Sequence, residues 1–208
     1  MKLKKKPKRI LIIIIVIAAL AAIGFVGYNI FFGQPEVQKA KVIKTIDKYG
    51  YTLKDNKTKR YQDMFEELDK ILSKDSVDEE EYVRQITEMF IYDFYSLNDK
   101  SSQTDVGGTD FVYSLSLENF LENAQDTYYK YVESNIYDDR NQQLPVVDEI
   151  TIDSVEQVPF AYGETTDEEA YEVQVSWTYT DDAFDDYQQE ATLTFIHEDI
   201  KLSLAELK

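Results

Sequence analysis

Apolar residues follow three different patterns along this chain. From Ile10 to Phe32 there are 23 residues without a charge, enough for one helix to cross the hydrocarbon core of a bilayer. Between residues 57 and 135, apolar positions recur every three to four residues, which predicts helices with one buried face. Past Pro145 the period becomes two, which predicts strands.

Three helices are predicted in the middle of the chain. The first runs from Lys57 to Ser73. The second begins after Asp78, a suitable N-cap followed by three glutamates that favour the positive end of the helix dipole. It continues to about Leu97, and its last turns are apolar on nearly every side, so it should be the most buried helix. The third runs from Ser116 to about Asn135.

Up to four strands are predicted after Pro145. They are centred on Ile150–Val155, Tyr171–Tyr179, Ala191–Phe195 and Ile200–Leu207, and the aspartates and glycine between them suit the turns of an antiparallel meander. Elements in this order predict an α+β fold. It would have one N-terminal transmembrane helix, then about three helices packed on a C-terminal antiparallel sheet of three to four strands.

The residues before the apolar run predict its orientation. Residues 1–9 form a tail with six basic residues and no acid, which favours a cytoplasmic N-terminus. We expect residues 10–32 to be the transmembrane helix of a single-pass cell-membrane protein, residues 33–56 a juxtamembrane connector with a short strand or turn, and residues 57–208 an extracellular α+β domain.

A cleaved signal peptide is the alternative interpretation of this N-terminus. Ala19-Leu20-Ala21 resembles a cleavage site. However, the apolar run continues to Phe32, which is too long for a typical signal peptide, and cleavage after Ala21 would leave apolar residues exposed. A retained anchor is therefore favoured.

Charge is distributed unevenly. The net charge is −18, yet residues 39–60 carry a net +6 and residues 61–208 a net −29. The basic stretch could be a collar against anionic headgroups or wall polymer, with the acidic head repelled from the same surface, or the head could simply be a soluble acidic domain. Nucleic acid is a poor partner for such an acidic head.

The chain has no cysteine. This excludes lipoprotein anchoring, disulfides and thiolate chemistry, and it suits a bacterial surface.

Asp93 is the most interesting acid because it lies inside the apolar stripe of the second helix, seven residues after Ile86 and three after Phe90. A carboxylate there must be paired, hydrogen-bonded or open to a cavity. One interpretation is a pocket acid with a raised pKa that serves as a base or ligand contact. The other is an acid bonded to a backbone group or to one of the 16 tyrosine hydroxyls.

His197 and Trp177 are the other candidates for a site. Strand alternation places His197, the single histidine, on the face of Leu193 and Phe195, where it could act with Asp93 in acid–base catalysis or be a rim residue. Trp177 could form the floor of a pocket or belong to the core. The predicted ligand pocket therefore contains Asp93, Trp177 and His197, with Asp93 and His197 as catalytic candidates.

Other chemistry has weak support in the sequence. Gly107-Gly108 is interpreted as a flexible turn. The acidic segment of residues 181–186 lacks the glycine and the distal glutamate of a calcium loop. With one histidine and no cysteine, neither a zinc site nor a catalytic triad is supported, so no metal and no cofactor is predicted.

The layout of residues 1–208 carries a resemblance to known families. Three helices followed by a bent antiparallel sheet resemble the NTF2-like (cystatin-like) cone. With the basic tail and the membrane helix, the chain resembles the VirB8 and TcpC components of bacterial conjugation and type IV secretion machines. The stretches Y-V-E-S-N-I-Y and A-T-L-T-F-I-H-E-D are similar to segments of exported Firmicute proteins. This resemblance implies location and self-association, not activity.

The scarcity of catalytic residues favours a non-enzymatic function. We expect a membrane-anchored extracytoplasmic interaction or scaffold module, within a surface, secretion or conjugation assembly, whose partners are the membrane and proteins, including further copies of itself. The alternative is a small ligand-binding or enzymatic cone that uses Asp93 and His197.

Overall fold

A computed structural model describes residues 40–208 of the chain. The predicted tail of residues 1–9, the predicted transmembrane helix of residues 10–32 and residues 33–39 of the predicted connector lie outside the described residues. Within residues 40–208, no helix has the length and apolar character needed to cross a bilayer.

The described part begins with a β-hairpin. Strand β1 (Val42–Ile46) pairs antiparallel with β2 (Tyr51–Lys54), and Gly50 adopts a positive φ of 72° in the turn between them. The hydroxyls of Tyr51 and Tyr82 lie 2.6 Å apart in the core. This contact ties the hairpin to the helices, so the hairpin is part of the folded unit and not a connector.

Two helices follow, each with a side-chain cap. Helix α1 (Lys59–Leu72) begins after Thr58, whose hydroxyl accepts the N–H of Tyr61. Helix α2 (Glu79–Tyr95) begins after Asp78, whose carboxylate accepts the N–H groups of Glu80 and Glu81, as the sequence predicts. Eleven of its 17 residues are buried, which confirms α2 as the most buried helix.

The third helix is shorter than predicted. Helix α3 (Leu117–Asp126) ends nine residues before Asn135, because Tyr128 and Tyr129 turn inward: the Tyr129 hydroxyl donates to the carbonyl of Phe94 at 2.6 Å. Short 3₁₀ helices at Thr109–Phe111 and Asp182–Phe184 complete the helical elements of the described residues.

A four-stranded antiparallel sheet forms the C-terminal half, with strand order β3-β4-β5-β6. The strands are β3 (Val147–Tyr162), β4 (Thr165–Tyr179), β5 (Glu190–Glu198) and β6 (Lys201–Leu207). β3 extends well past the predicted end at Val155, through Pro159. Proline is tolerated there because β3 is an edge strand and its pairing register shifts between Val158 and Phe160.

The core lies between α2 and one face of this sheet. Helix α2 packs on β3 and β4, and the odd-numbered residues of β4 from Tyr171 to Tyr179 point towards it and are buried. The predicted alternation in β4 is therefore confirmed.

The predicted architecture as a whole is wrong. The described residues contain three helices and six strands in two antiparallel sheets, one of two strands and one of four, whereas one C-terminal sheet after the helices was expected. The hairpin that precedes α1 is the missed sheet. It was missed because its strands have only five and four residues, too few to establish a clear alternation.

Candidate functional site

Asp93 lies at the centre of a buried polar network. Its side chain is 6% exposed. One carboxylate oxygen lies 2.5 Å from the Lys57 ammonium and 3.1 Å from the Lys100 ammonium, and the other accepts the N–H of Gly108 at 2.8 Å. Both oxygens are thus engaged, with two cations and a backbone group, and not with a tyrosine hydroxyl.

The loop after α2 is held closely against the helix. A Cβ on Gly107 would overlap the backbone carbonyl of Asp93, and a Cβ on Gly108, whose φ is +72°, would lie 2.6 Å from the Phe90 ring. The N–H of Gly107 donates to the Tyr129 hydroxyl at 3.0 Å. The glycine pair is therefore required by close packing and is not a flexible turn.

The charges of this network hold Asp93 ionised. Burial favours a higher pKa for Asp93, but the charges of Lys100 and Lys57 and the Gly108 N–H outweigh it and hold the pKa well below its ordinary value. Burial likewise opposes the charge on Lys100, yet Asp93 and Asp99 raise the pKa of its ammonium. The pKa shift of Asp93 is opposite in direction to that expected of a pocket acid, and the arrangement is that of a structural ion pair.

His197 lies elsewhere, at the end of β5. The Asp167 carboxylate accepts its backbone N–H at 2.7 Å and lies 2.9 Å from its Nδ1, while its Nε2 is 3.4 Å from a Glu79 oxygen. Burial opposes the charged imidazole, but Asp167 and Glu79 together raise the pKa of His197. His197 thus joins the start of α2 to the far end of the β3–β4 hairpin.

Trp177 is a core residue. Its side chain is 3% exposed, and its ring lies 4.3 Å from the Tyr95 ring, centroid to centroid. Asp93, His197 and Trp177 therefore contact separate sets of residues and do not form one pocket. None of the three lines any of the following three grooves.

A groove of about 800 Å³ lies between α3 and β6. Its floor is aromatic: the Phe94 ring lies 5.2 Å from Phe120 and 5.8 Å from Tyr128, and Tyr95 lies 5.1 Å from Tyr128. One wall is formed by polar residues on and near α3, and the other by the last residues of β6. The wall residues include Ser116, Asn119, Asn123, Thr127, Leu204, Ala205, Glu206, Leu207 and Lys208.

The charged side chains that line this α3–β6 groove balance each other. Its only charged lining residues are Glu206 and Lys208, whose side chains pair at 2.7 Å. The other polar lining groups are hydroxyls and amides. In a molecule whose residues 61–208 carry a net −29, such a surface can accept an uncharged group without desolvating an unpaired carboxylate.

The outer edge of β6 forms part of the groove. β6 is the last strand of its sheet, and a single parallel bridge from Val112 covers its edge at Leu204, where the Tyr113 N–H donates to the Leu204 carbonyl at 2.8 Å. The chain then turns away into α3. From Ala205 onward, no strand within residues 40–208 pairs with this edge, so backbone groups there can pair with another chain.

Two other grooves each have one aromatic lining residue, Tyr171 or Tyr187. One of about 510 Å³ lies at the start of α2 and is lined by Glu79, Tyr171 and neighbouring acids. Another of about 850 Å³ lies beside Gln188 and β5 and is lined mainly by polar residues.

Within residues 40–208, no cluster of three or more histidine or acidic side chains is arranged to hold a metal ion. Asp181 caps a 3₁₀ helix through the Ala183 N–H.

Comparison with protein-family models, curated proteins and solved structures finds no match to this chain. The resemblance to the NTF2-like, VirB8 and TcpC families therefore stays a prediction.

Proposed function

We propose that this protein is a membrane-anchored extracytoplasmic interaction module, and that its α3–β6 groove binds an extended segment of a partner protein. The uncharged run of residues 10–32, with six basic residues before it, supports a membrane anchor with a cytoplasmic N-terminus. The groove supports the binding role.

The observation that carries the binding role is the free edge of β6 beside an aromatic floor. An extended peptide that adds to a sheet edge gains affinity from backbone hydrogen bonds and specificity from pockets for alternate side chains. The β6 edge beyond Leu204 offers the backbone hydrogen bonds. The aromatic floor offers the pockets for side chains, and it consists of Phe94, Tyr95, Phe120 and Tyr128.

Charge restricts the partner. An acidic segment would be repelled by the net −29 of residues 61–208. The neutral lining of the groove favours an uncharged segment with aromatic or aliphatic side chains at alternate positions. The same net charge disfavours a second copy of this head as the partner.

The test uses peptides selected from a displayed random library on the full-length protein in lipid nanodiscs. The selected peptides are synthesised, and their Kd is measured for the wild type, Asn119→Trp and Glu118→Trp. Asn119 lines the groove, and Glu118 is its exposed neighbour on α3 and does not line it. Tryptophan at 119 fills the groove, whereas tryptophan at 118 is the matched control.

We expect Asn119→Trp to weaken binding at least tenfold and Glu118→Trp to change it less than twofold. The proposal fails if no peptide is enriched, or if the selected peptides bind the Asn119→Trp variant as tightly as the wild type.

A further inference from the structure

The open end of the β1–β2 hairpin exposes apolar side chains next to lysines. Val42 is 45% and Ile43 is 52% exposed. Lys54 pairs with Val42 across the hairpin, and Lys41 directly precedes Val42. These four residues, Lys41, Val42, Ile43 and Lys54, are called the open-end patch below.

A register shift keeps the apolar pair outside the core. Ile46, Tyr51 and Leu53 face the interior and are buried. The pairing shifts between Val42 and Lys44, so that Ile43 is an extra residue in β1. Such a bulge changes which side chains face outward, and both Val42 and Ile43 are left in solvent.

The side-chain ammonium groups of the open-end patch form no ion pair within the described part of the chain, although the Asp55 carboxylate lies at the same end of the hairpin, where it accepts the backbone N–H of Lys41 at 2.9 Å. Lys44, further along β1, lies 2.8 Å from both Glu66 and Asp69. Lys41 and Lys54 are exposed, and neither forms an ion pair with any residue in the range 40–208. Unpaired positive charge beside exposed apolar groups suits an anionic lipid surface, since the apolar groups can enter the headgroup layer while the lysines contact its phosphates.

We infer that the open-end patch docks the head onto the anionic leaflet of the membrane in which the chain is anchored. This inference rests on the proposed anchor. Nine residues separate Phe32 from Val42, so even a fully extended chain keeps the patch within about 35 Å of the end of the apolar run. A tether of this length gives a high local concentration, and a contact that is weak in free solution is then sufficient.

Docking through this patch also orients the head. Residues 61–208 carry a net −29 and are repelled by anionic lipid, whereas the hairpin end is attracted to it. The two effects act in the same direction and turn the acidic part of the head away from the bilayer.

The absence of native cysteine allows a direct test with single labels. The full-length protein carries a fluorescent nitrobenzoxadiazole label at Ile43→Cys, or at Ile200→Cys as a control, because Ile200 is 49% exposed but lies in the turn between β5 and β6. Each is placed in nanodiscs of phosphatidylcholine alone or with 30% phosphatidylglycerol, and quenching by nitroxide-bearing lipid is measured.

In discs with phosphatidylglycerol, we expect the label at 43 to be quenched at least threefold more than the label at 200. Lys41→Gln with Lys54→Gln should reduce this quenching to its value in phosphatidylcholine, and Lys48→Gln, in the turn at the other end of the hairpin, should not. Equal quenching of the labels at 43 and 200 would contradict docking through the open-end patch but would leave the proposed membrane anchor intact. Loss of the protein from the discs would contradict the membrane anchor.

Discussion

The ammonium of Lys100 lies 3.1 Å from the carboxylate of Asp93, and the two side chains are 3% and 6% exposed. Lys100 also lies 2.6 Å from Asp99, and Lys57 reaches Asp93 from the residue just before the α1 cap. Two carboxylates and two ammonium groups therefore join α1, α2 and the loop after α2. Removal of one member leaves a buried charge without its partner, which is far more costly than loss of an exposed pair.

Replacement of Asp93 by asparagine tests this role. Asp93→Asn keeps the shape but leaves Lys57 without a counter-charge and the buried Lys100 with Asp99 alone, so we expect a loss of about 3–5 kcal/mol in the free energy of unfolding. The measurement is urea unfolding of the full-length protein, followed by the fluorescence of Trp177, the only tryptophan. Asp63→Asn, which breaks an exposed pair with Lys59 on α1, should change stability by less than about 0.5 kcal/mol.

If Asp93 were instead a ligand-binding or catalytic acid, the asparagine variant would keep wild-type stability. That result would contradict the structural role.

Replacement of Gly107 by alanine tests the close packing of the loop. The new Cβ would overlap the backbone carbonyl of Asp93 and push the loop off α2, so we expect a loss of about 3 kcal/mol. Gly50→Ala is the control: its φ is +72° but nothing lies within 4 Å of the added Cβ, so only the left-handed backbone cost of about 1–2 kcal/mol applies. Similar losses in the two variants would show that steric overlap at Gly107 is not the cause.

His197 makes the stability of the head depend on pH. Because the pKa of His197 is raised in the folded state, its contribution is fully present below about pH 6.5, the unfolded value. It is lost as the pH rises through the folded pKa. The pKa of Asp167 is lowered, since the His197 N–H and ring outweigh the effect of burial, so its contribution is present above about pH 4. The contact between His197 and Asp167 therefore stabilises the head most between about pH 4 and pH 6.5.

The matching experiment compares the melting temperatures of the wild type and His197→Gln at pH 5.5 and pH 8.5. We expect the variant to be less stable at pH 5.5 and the difference to shrink at pH 8.5. Glu79, Tyr171 and Gln157 also belong to this cluster and remain in both proteins. A difference that stays constant between the two pH values would show that His197 does not titrate in this contact.

The sequence predicted features that depend on neighbours in the chain. The Asp78 cap depends on residues two and three positions away. The alternation of inward and outward side chains in β4 depends on the pleat of that one strand. The position of Asp93 in the apolar stripe was also correctly predicted from helix geometry, since its side chain is buried.

The partners of Asp93 could not be predicted in this way. Lys57 is 36 residues away, and lysine is rarely buried, so no local pattern distinguishes Lys57 or Lys100 from a solvated side chain. The α3–β6 groove was missed for a similar reason. The apolar residues of α3 show the period of a buried face, but only Ala124 is fully buried, and that outcome depends on how α3 lies against the end of β6.

The binding role of the groove is tested most directly by site-specific photocrosslinking in the cells that produce the protein. A benzophenone amino acid replaces Asn119, inside the groove, or Glu118, its neighbour outside, and the crosslinked peptides are identified by mass spectrometry. We expect the probe at 119 to crosslink to one uncharged, extended segment of a partner protein, and the probe at 118 to give no such product. Identical products at both positions, or products with lipid or glycan alone at 119, would contradict the proposal.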